Sequence, residues 1–197
     1  MQQTARQQPS GMRAFTVIWL GQFLSLIGSG ATRFAITLWA WELTGRATDL
    51  SLLAFFGFAP SIIMTPIAGA YVDRWRNRKL VMMLSDLAAG SVTVVFFLLA
   101  LGGSLQIWHL YVGAVIAGAF EAFQFPAYSA AISTMVDKSQ YGRTSAMMSL
   151  ADAASGIFAP IVGAALYATF PLEGVVLIDL LTFTFAVGPM MFVYTPP

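Results

Sequence analysis

Leu80-Val-Met-Met-Leu-Ser-Asp86-Leu-Ala-Ala-Gly90-Ser-Val-Thr-Val-Val-Phe-Phe-Leu-Leu-Ala-Leu101 holds one charge, Asp86, in an otherwise apolar and small-residue run. At a rise of 1.5 Å per residue such a run covers roughly the 30 Å of hydrocarbon in a bilayer. It lacks the period-2 alternation of a barrel strand. Lipid also leaves no backbone group unpaired, so a helix is the form it must take. Outward from it, comparable runs occupy Phe15 to Trp41, Leu50 to Val72, Trp108 to Ala131, Thr144 to Phe170 and Val175 to Tyr194, joined by short polar loops.

Composition agrees: 58% of the 197 residues are hydrophobic and 10% are charged, against about 25% charged in soluble domains. The fold class expected is an all-α membrane protein, a bundle of six transmembrane helices over residues 13–194. Residues 1–12 then form a cytoplasmic tail, and 195–197 open a linker, because Pro196 and Pro197 oppose continued helix. No charged segment followed by a short apolar core and a small-residue cleavage site opens the chain, so no cleaved signal peptide is expected. The chain has no cysteine, which excludes disulfides, thiol nucleophiles and cysteine-ligated metals. The one histidine, His109, lies beside Trp108 and Tyr111 and reads as interfacial. The basic residues are scattered over short loops without an aromatic-basic groove motif, so no nucleic-acid partner is expected.

Counting lysine and arginine by loop orients the bundle. Arg6 and Arg13 precede the first run, Arg74, Arg76, Arg78 and Lys79 join the second and third, and Lys138 and Arg143 join the fourth and fifth. The opposite side has only Arg46, with Glu42, Asp49 and Glu173. Both termini are therefore expected in the cytoplasm.

The loop after the second run reads Gly69-Ala-Tyr-Val-Asp73-Arg74-Trp-Arg76-Asn77-Arg78-Lys79. A glycine permits close helix contact, and an acid beside several guanidinium groups can exchange partners as two bundles rock. This loop resembles the signature between spans two and three of the major facilitator superfamily. The resemblance implies that these residues latch the cytoplasmic side and influence the conformational switch. The commonest pattern has a glycine where Arg76 and Asn77 stand, and Asn77 can serve as the turn residue because asparagine tolerates the left-handed conformation.

In the fifth run, Ser155-Gly-Ile-Phe-Ala159-Pro160-Ile-Val-Gly163-Ala164 is similar to the family's glycine-proline antiporter motif, and is equally readable as an ordinary small-residue helix contact. Leu43-Thr44-Gly45, Phe125-Pro126-Ala127 and Gly142-Arg143 resemble the drug, macrolide and siderophore exporter branch. The likeness covers essentially the whole chain, which then corresponds to the amino-terminal half of the fold. The fourth run has no arginine like that of the family's proton-antiport motif, so no specific proton relay is carried over.

Charges at membrane depth cost at least about 2.5 kcal/mol each on insertion scales and need a partner, water or a function. Arg33, Asp86, Glu121, Asp152 and Asp179 are the charges to explain. In the first run the helical step puts Gln22, Ser25, Ser29 and Arg33 in one polar stripe, and in the fourth Glu121, Gln124 and Tyr128 share a side near Pro126. In the family, spans one and four line the central cavity. Gln22, Arg33, Glu121, Gln124 and Tyr128 thus become candidate cavity and coupling residues, with Glu121 the leading proton-exchanging group. Counting residues from the outer ends of their runs puts Arg33 about 12 Å deep and Glu121 about 20 Å deep. A pair between them then needs extended side chains or a bridging water. Asp152 shares a face with Ser155, Ala159 and Gly163 and reads as part of a helix interface. Asp86 and Asp179 lie about 6 to 9 Å from a span end, which favours structural roles.

The expected function is secondary active transport, a proton-coupled efflux of amphiphilic small molecules by alternating access between this half and a second six-helix half or a homodimer. The expected partners are a lipid bilayer, a small-molecule substrate and protons, with no cofactor and no metal. The resemblance implies a bacterial inner membrane. An importer and a non-transporting scaffold stand as alternatives, while a membrane hydrolase would want a serine-histidine pair or clustered metal ligands that the chain lacks.

Overall fold

The computed structural model describes residues 11–74 and 78–192. Over them the chain forms α1 (Gly11–Thr44), α2 (Ala47–Arg74), α3 (Arg78–Leu101), α4 (Ile107–Met135), a single 3-10 turn (Lys138–Gln140), α5 (Tyr141–Thr169) and α6 (Leu172–Phe192), with no strand among the described residues. The first four apolar runs fall inside α1 to α4, the fifth overruns α5 by one residue, Phe170, and the sixth lies in α6 as far as the described residues go. Among the described residues five segments are long and apolar enough to cross a membrane: α1, Ala47–Tyr71 of α2, Met83–Leu101 of α3, Ile107–Ser129 of α4, and Lys138–Thr169.

Local chemistry explains the helix ends. Gly45 takes φ +62° immediately after α1 and Gly103 takes φ +60° after α3, the left-handed conformation that only glycine adopts without steric cost. The Gly45 N–H donates to the Trp41 carbonyl at 2.7 Å, which closes the last turn of α1. Pro171 stands just ahead of α6, where a missing donor costs nothing. Within the helices, hydroxyls such as those of Thr37, Thr44, Thr65 and Thr169 donate to the carbonyl four residues back, so polar side chains are tolerated in apolar surroundings. Pro60, Pro66, Pro126 and Pro160 all lie inside continuous helices.

α2 packs on α4, α1 packs on α5 and α6, and α3 packs on α4 and α6. Exchanging the first three helices for the last three leaves this pattern of pairs unchanged. In its contacts the bundle therefore behaves as two equivalent three-helix units.

Small residues set the closest crossings. A Cβ at Gly118 would strike the carbonyl of Gly57 where α4 meets α2, and one at Gly163 would lie 2.5 Å from the carbonyl of Ala31 where α5 meets α1. Gly30 faces Ala159 in the same α1–α5 seam, so the small residues foreseen in the fifth run do form a helix contact.

Apolar clusters close both ends of the bundle. At the end holding the Gly45, Gly103 and Pro171 turns, Ile36, Ala40, Leu105, Leu110, Leu172, Val175 and Val176 are buried together. At the opposite end Phe15 and Val136 are buried against Met12, Trp19, Tyr128, Met147 and Met148, and the Trp19 indole donates to the Met147 carbonyl at 3.0 Å. Arg33, Glu121, Asp86 and Asp179 lie along their helices between these two layers.

Candidate functional site

α1 and α4 touch each other only lightly, and across the open face between them Arg33 Nη2 stands 3.6 Å from Glu121 Oε1. The pair meets directly, without a bridging group. Burial, however, is the reverse of what the sequence implied. The Arg33 and Glu121 side chains are 68% and 50% exposed, whereas Asp86 and Asp179 are buried. An open ion pair of this kind adds little to stability, about 0 to 1 kcal/mol, and stays free to exchange partners.

Asp86, on α3, accepts a hydrogen bond from Gln124 Nε2 of α4 at 2.7 Å, with Gln22 of α1 close to the same carboxylate. Its Oδ2 is buried with no hydrogen-bond partner among the described residues. Asp179, on α6, accepts from Ser29 Oγ of α1 at 3.0 Å. Gly28 makes that approach possible, since a Cβ there would clash with Thr182 and come within 3.3 Å of Asp179 Oδ1. The arrangement is a layered one: an open ion pair on the α1–α4 face, backed on each side by a buried acid anchored to a neutral side chain.

Of the candidate cavity residues, Arg33 meets Glu121 and, about 16 Å along α1, Gln22 comes near Gln124 at Asp86, so the four form one polar track. Tyr128 does not join it. It packs in the apolar cluster around Phe15, and its hydroxyl is buried without a hydrogen-bond partner among the described residues.

Asp152 departs from expectation, because it is exposed while Ala151, Ser155, Ala159 and Gly163 face inward. The contact face of α5 runs through position 151, one residue away, which swings the aspartate off the seam. Ser155 is fixed there by donating to the Leu26 carbonyl at 3.2 Å. Pro160 is half-buried beside it.

In the loop motif, Asp73 and Arg74 end α2 and Arg78 and Lys79 begin α3, while Arg76 and Asn77 lie outside the described residues. Among the described residues Gly69 meets nothing within 4 Å of where a Cβ would stand, so the close contact expected of it is not made with them. His109 lies in the first turn of α4, its Nδ1 accepting the Gln106 N–H at 3.0 Å and its ring against Trp108. Among the described residues no cluster of metal-ligating side chains occurs.

Two contacts at the turn end had no signal in the sequence. Tyr111 of α4 donates to Asp49 of α2 at 2.9 Å, with Arg46 3.8 Å from the same carboxylate, and Tyr167 of α5 donates to Glu42 of α1 at 2.6 Å. Each ties one of the two most extensive seams. Their partners are 62 and 125 residues apart, beyond any periodicity. The Ser29–Asp179 link was half visible, since Ser29 lies on the polar stripe of α1, but nothing in α6 pointed to its partner.

The sequence pattern described as Major Facilitator Superfamily matches residues 18–197. Macrolide efflux protein A of Streptococcus pyogenes is 34% identical over 171 residues, covering 85% of this chain and 41% of that protein. Macrolide efflux protein A of Enterococcus faecalis is 33% identical over 141 residues, covering 70% and 42%. Multidrug efflux pump Tap of Mycolicibacterium fortuitum is 36% identical over 109 residues, covering 55% and 26%. The chain spans about two fifths of the length of the macrolide efflux proteins it matches.

Proposed function

This chain belongs to the major facilitator superfamily, and from that premise we propose that it is the amino-terminal half of a proton-coupled exporter of amphiphilic small molecules. The observation that carries the proposal is the Arg33–Glu121 pair, 3.6 Å apart on the open face of α1 and α4. A carrier that alternates between two sides needs a charged site it can satisfy and release without unfolding. A half-exposed pair meets that need, because its opening costs little. The similarity to proteins named for macrolide and multidrug efflux favours export and a bulky substrate.

In this reading all six helices span a bacterial plasma membrane, α6 included, with both termini cytoplasmic by the distribution of arginine and lysine. Residues 1–12 form the tail, 13–194 the bundle, and 195–197 the start of a linker to a second six-helix half, with a homodimer as the other way to complete the cavity. Glu121 exchanges the proton, and Arg33, Gln22 and Gln124 line the site around it. The Gly69 to Lys79 loop latches the cytoplasmic side. Gly69, open among the described residues, receives the opposing half there, and the Ser155 to Gly163 segment of α5 flexes at Pro160 as the halves rock.

The test is gradient-driven uptake of a fluorescent amphiphilic cation into inverted vesicles carrying the full-length protein, compared with its Glu121→Gln variant at equal expression. The expected result is uptake by the unaltered protein and its loss in the variant. Equal uptake by both would remove Glu121 from the coupling step, and movement only in the opposite direction would make the protein an importer.

A further inference from the structure

Arg33 is the single lysine or arginine within the six apolar runs, yet acids approach it from two sides. Glu121 reaches it across the open face from α4. On the closed side, Asp179 of α6 is bound by Ser29, four residues before Arg33 and hence about one turn, or 5.4 Å, along the same helix. Among the described residues no ion pair joins Arg33 to Asp179 in this arrangement.

Asp179 is 4% exposed, and neutral hydroxyls do not cancel the charge of a carboxylate removed from water. The other buried acid, Asp86, meets α1 near Gln22, eleven residues from Arg33, whereas Asp179 meets it at Ser29, four residues away. Of the two, Asp179 is therefore the one placed to compete for the cation.

We propose that Asp179 is the alternate partner of Arg33. When a proton or a cationic substrate cancels the charge of Glu121, Arg33 turns from the open face to Asp179 and tightens α1 against α6. One cation shared by two acids reports the state of the open face to a buried seam, and Asp179 acts as a positioning residue through Arg33. The proposal rests on reading Arg33 and Glu121 as the transport pair.

A double-mutant cycle in the full-length protein tests it by thermal unfolding in detergent. Arg33→Gln, Asp179→Asn and their combination are compared, first with Glu121 intact and then in a Glu121→Gln background. Asparagine still offers Ser29 an acceptor oxygen, so the substitution removes the charge alone. The expected result is non-additivity that grows, by about 2 °C or more in unfolding midpoint, once Glu121 is neutralised. Additive effects in both backgrounds, or the same coupling in both, would overturn the proposal.

Should Arg33→Gln not yield folded protein, Asp179→Asn alone decides. It must lower the midpoint more in the Glu121→Gln background than in the unaltered protein, and an equal loss refutes the switch. Neither readout requires transport. Failure of dye uptake would count against the exporter reading, while failure of the cycle would count against Asp179.

Discussion

Phe183 of α6 lays its ring over Gly90 of α3, with two ring carbons 2.9 Å from where a Cβ on that glycine would stand. Asp86 is one turn before Gly90 and Asp179 one turn before Phe183. Alternating helices joined by short loops run α3 and α6 in opposite directions, so the two buried acids lie on either side of this crossing. One is anchored to α4 and the other to α1, as the exchange of three-helix units requires.

Glycine substitutions should rank by what the new methyl group meets. At Gly118 it meets the Gly57 backbone carbonyl, and at Gly90 the far end of a phenylalanine side chain that can shift. Gly118→Ala is expected to cost about 1 to 3 kcal/mol as overpacking, Gly90→Ala less than half of that, and Gly57→Ala, with open space around it, close to nothing. Thermal unfolding in detergent of the three variants measures the order.

Neutralising the open pair should separate function from folding. Because both side chains are half or more exposed, Glu121→Gln and Arg33→Gln should each change stability by no more than about 1 kcal/mol. Under the proposed function, uptake by the full-length protein should nonetheless fall at least about tenfold in Glu121→Gln. Initial uptake rates and unfolding midpoints on the same preparations check both halves of the statement.

Gln124→Leu should take from buried Asp86 the donor on α4, leaving Gln22 of α1 beside it, and cost about 1 to 3 kcal/mol. Adding Asp86→Leu removes the stranded carboxylate as well. The double variant is expected to recover most of the loss, since replacing both members of a buried polar pair by apolar groups is nearly neutral. A double variant no more stable than Gln124→Leu would argue that Asp86 depends on other partners.

The two tyrosine ties at the turn end should differ in strength with the burial of their acceptors. Asp49 is buried and Glu42 exposed, so losing the donor leaves a buried carboxylate with only Arg46, 3.8 Å away, in one case and returns an exposed one to water in the other. Tyr111→Phe should cost about 1 to 3 kcal/mol and Tyr167→Phe under about 1 kcal/mol, as read from the unfolding of each variant. Equal losses would show that solvent reaches Asp49.

Much of the architecture was legible along the chain because it depends on nearest neighbours in sequence. Run length and apolar content marked the helices, and the helical step put Gln22, Ser29 and Arg33 in one stripe of α1 and Glu121 with Gln124 in one stripe of α4. A helical period gives angles within one helix and nothing about its rotation or axial offset against another. That is why Asp152 was placed one residue wrong on α5, Tyr128 was drawn into the polar track, and the Tyr111–Asp49 and Tyr167–Glu42 ties went unseen.

Burial of charge is where the two levels part most clearly. Sequence alone determined that a few charges lie within apolar runs and that each needs an explanation, because the free energy of moving a charge out of water depends on depth, which residue counting supplies. Only the tertiary structure decided which of them are enclosed. Arg33 and Glu121 face the open side because α1 and α4 touch lightly, and Asp86 and Asp179 are sealed in because α3 and α6 cross at Gly90 and Phe183. Enclosure is a property of what packs against a residue, and that is set by contacts between helices far apart in the chain.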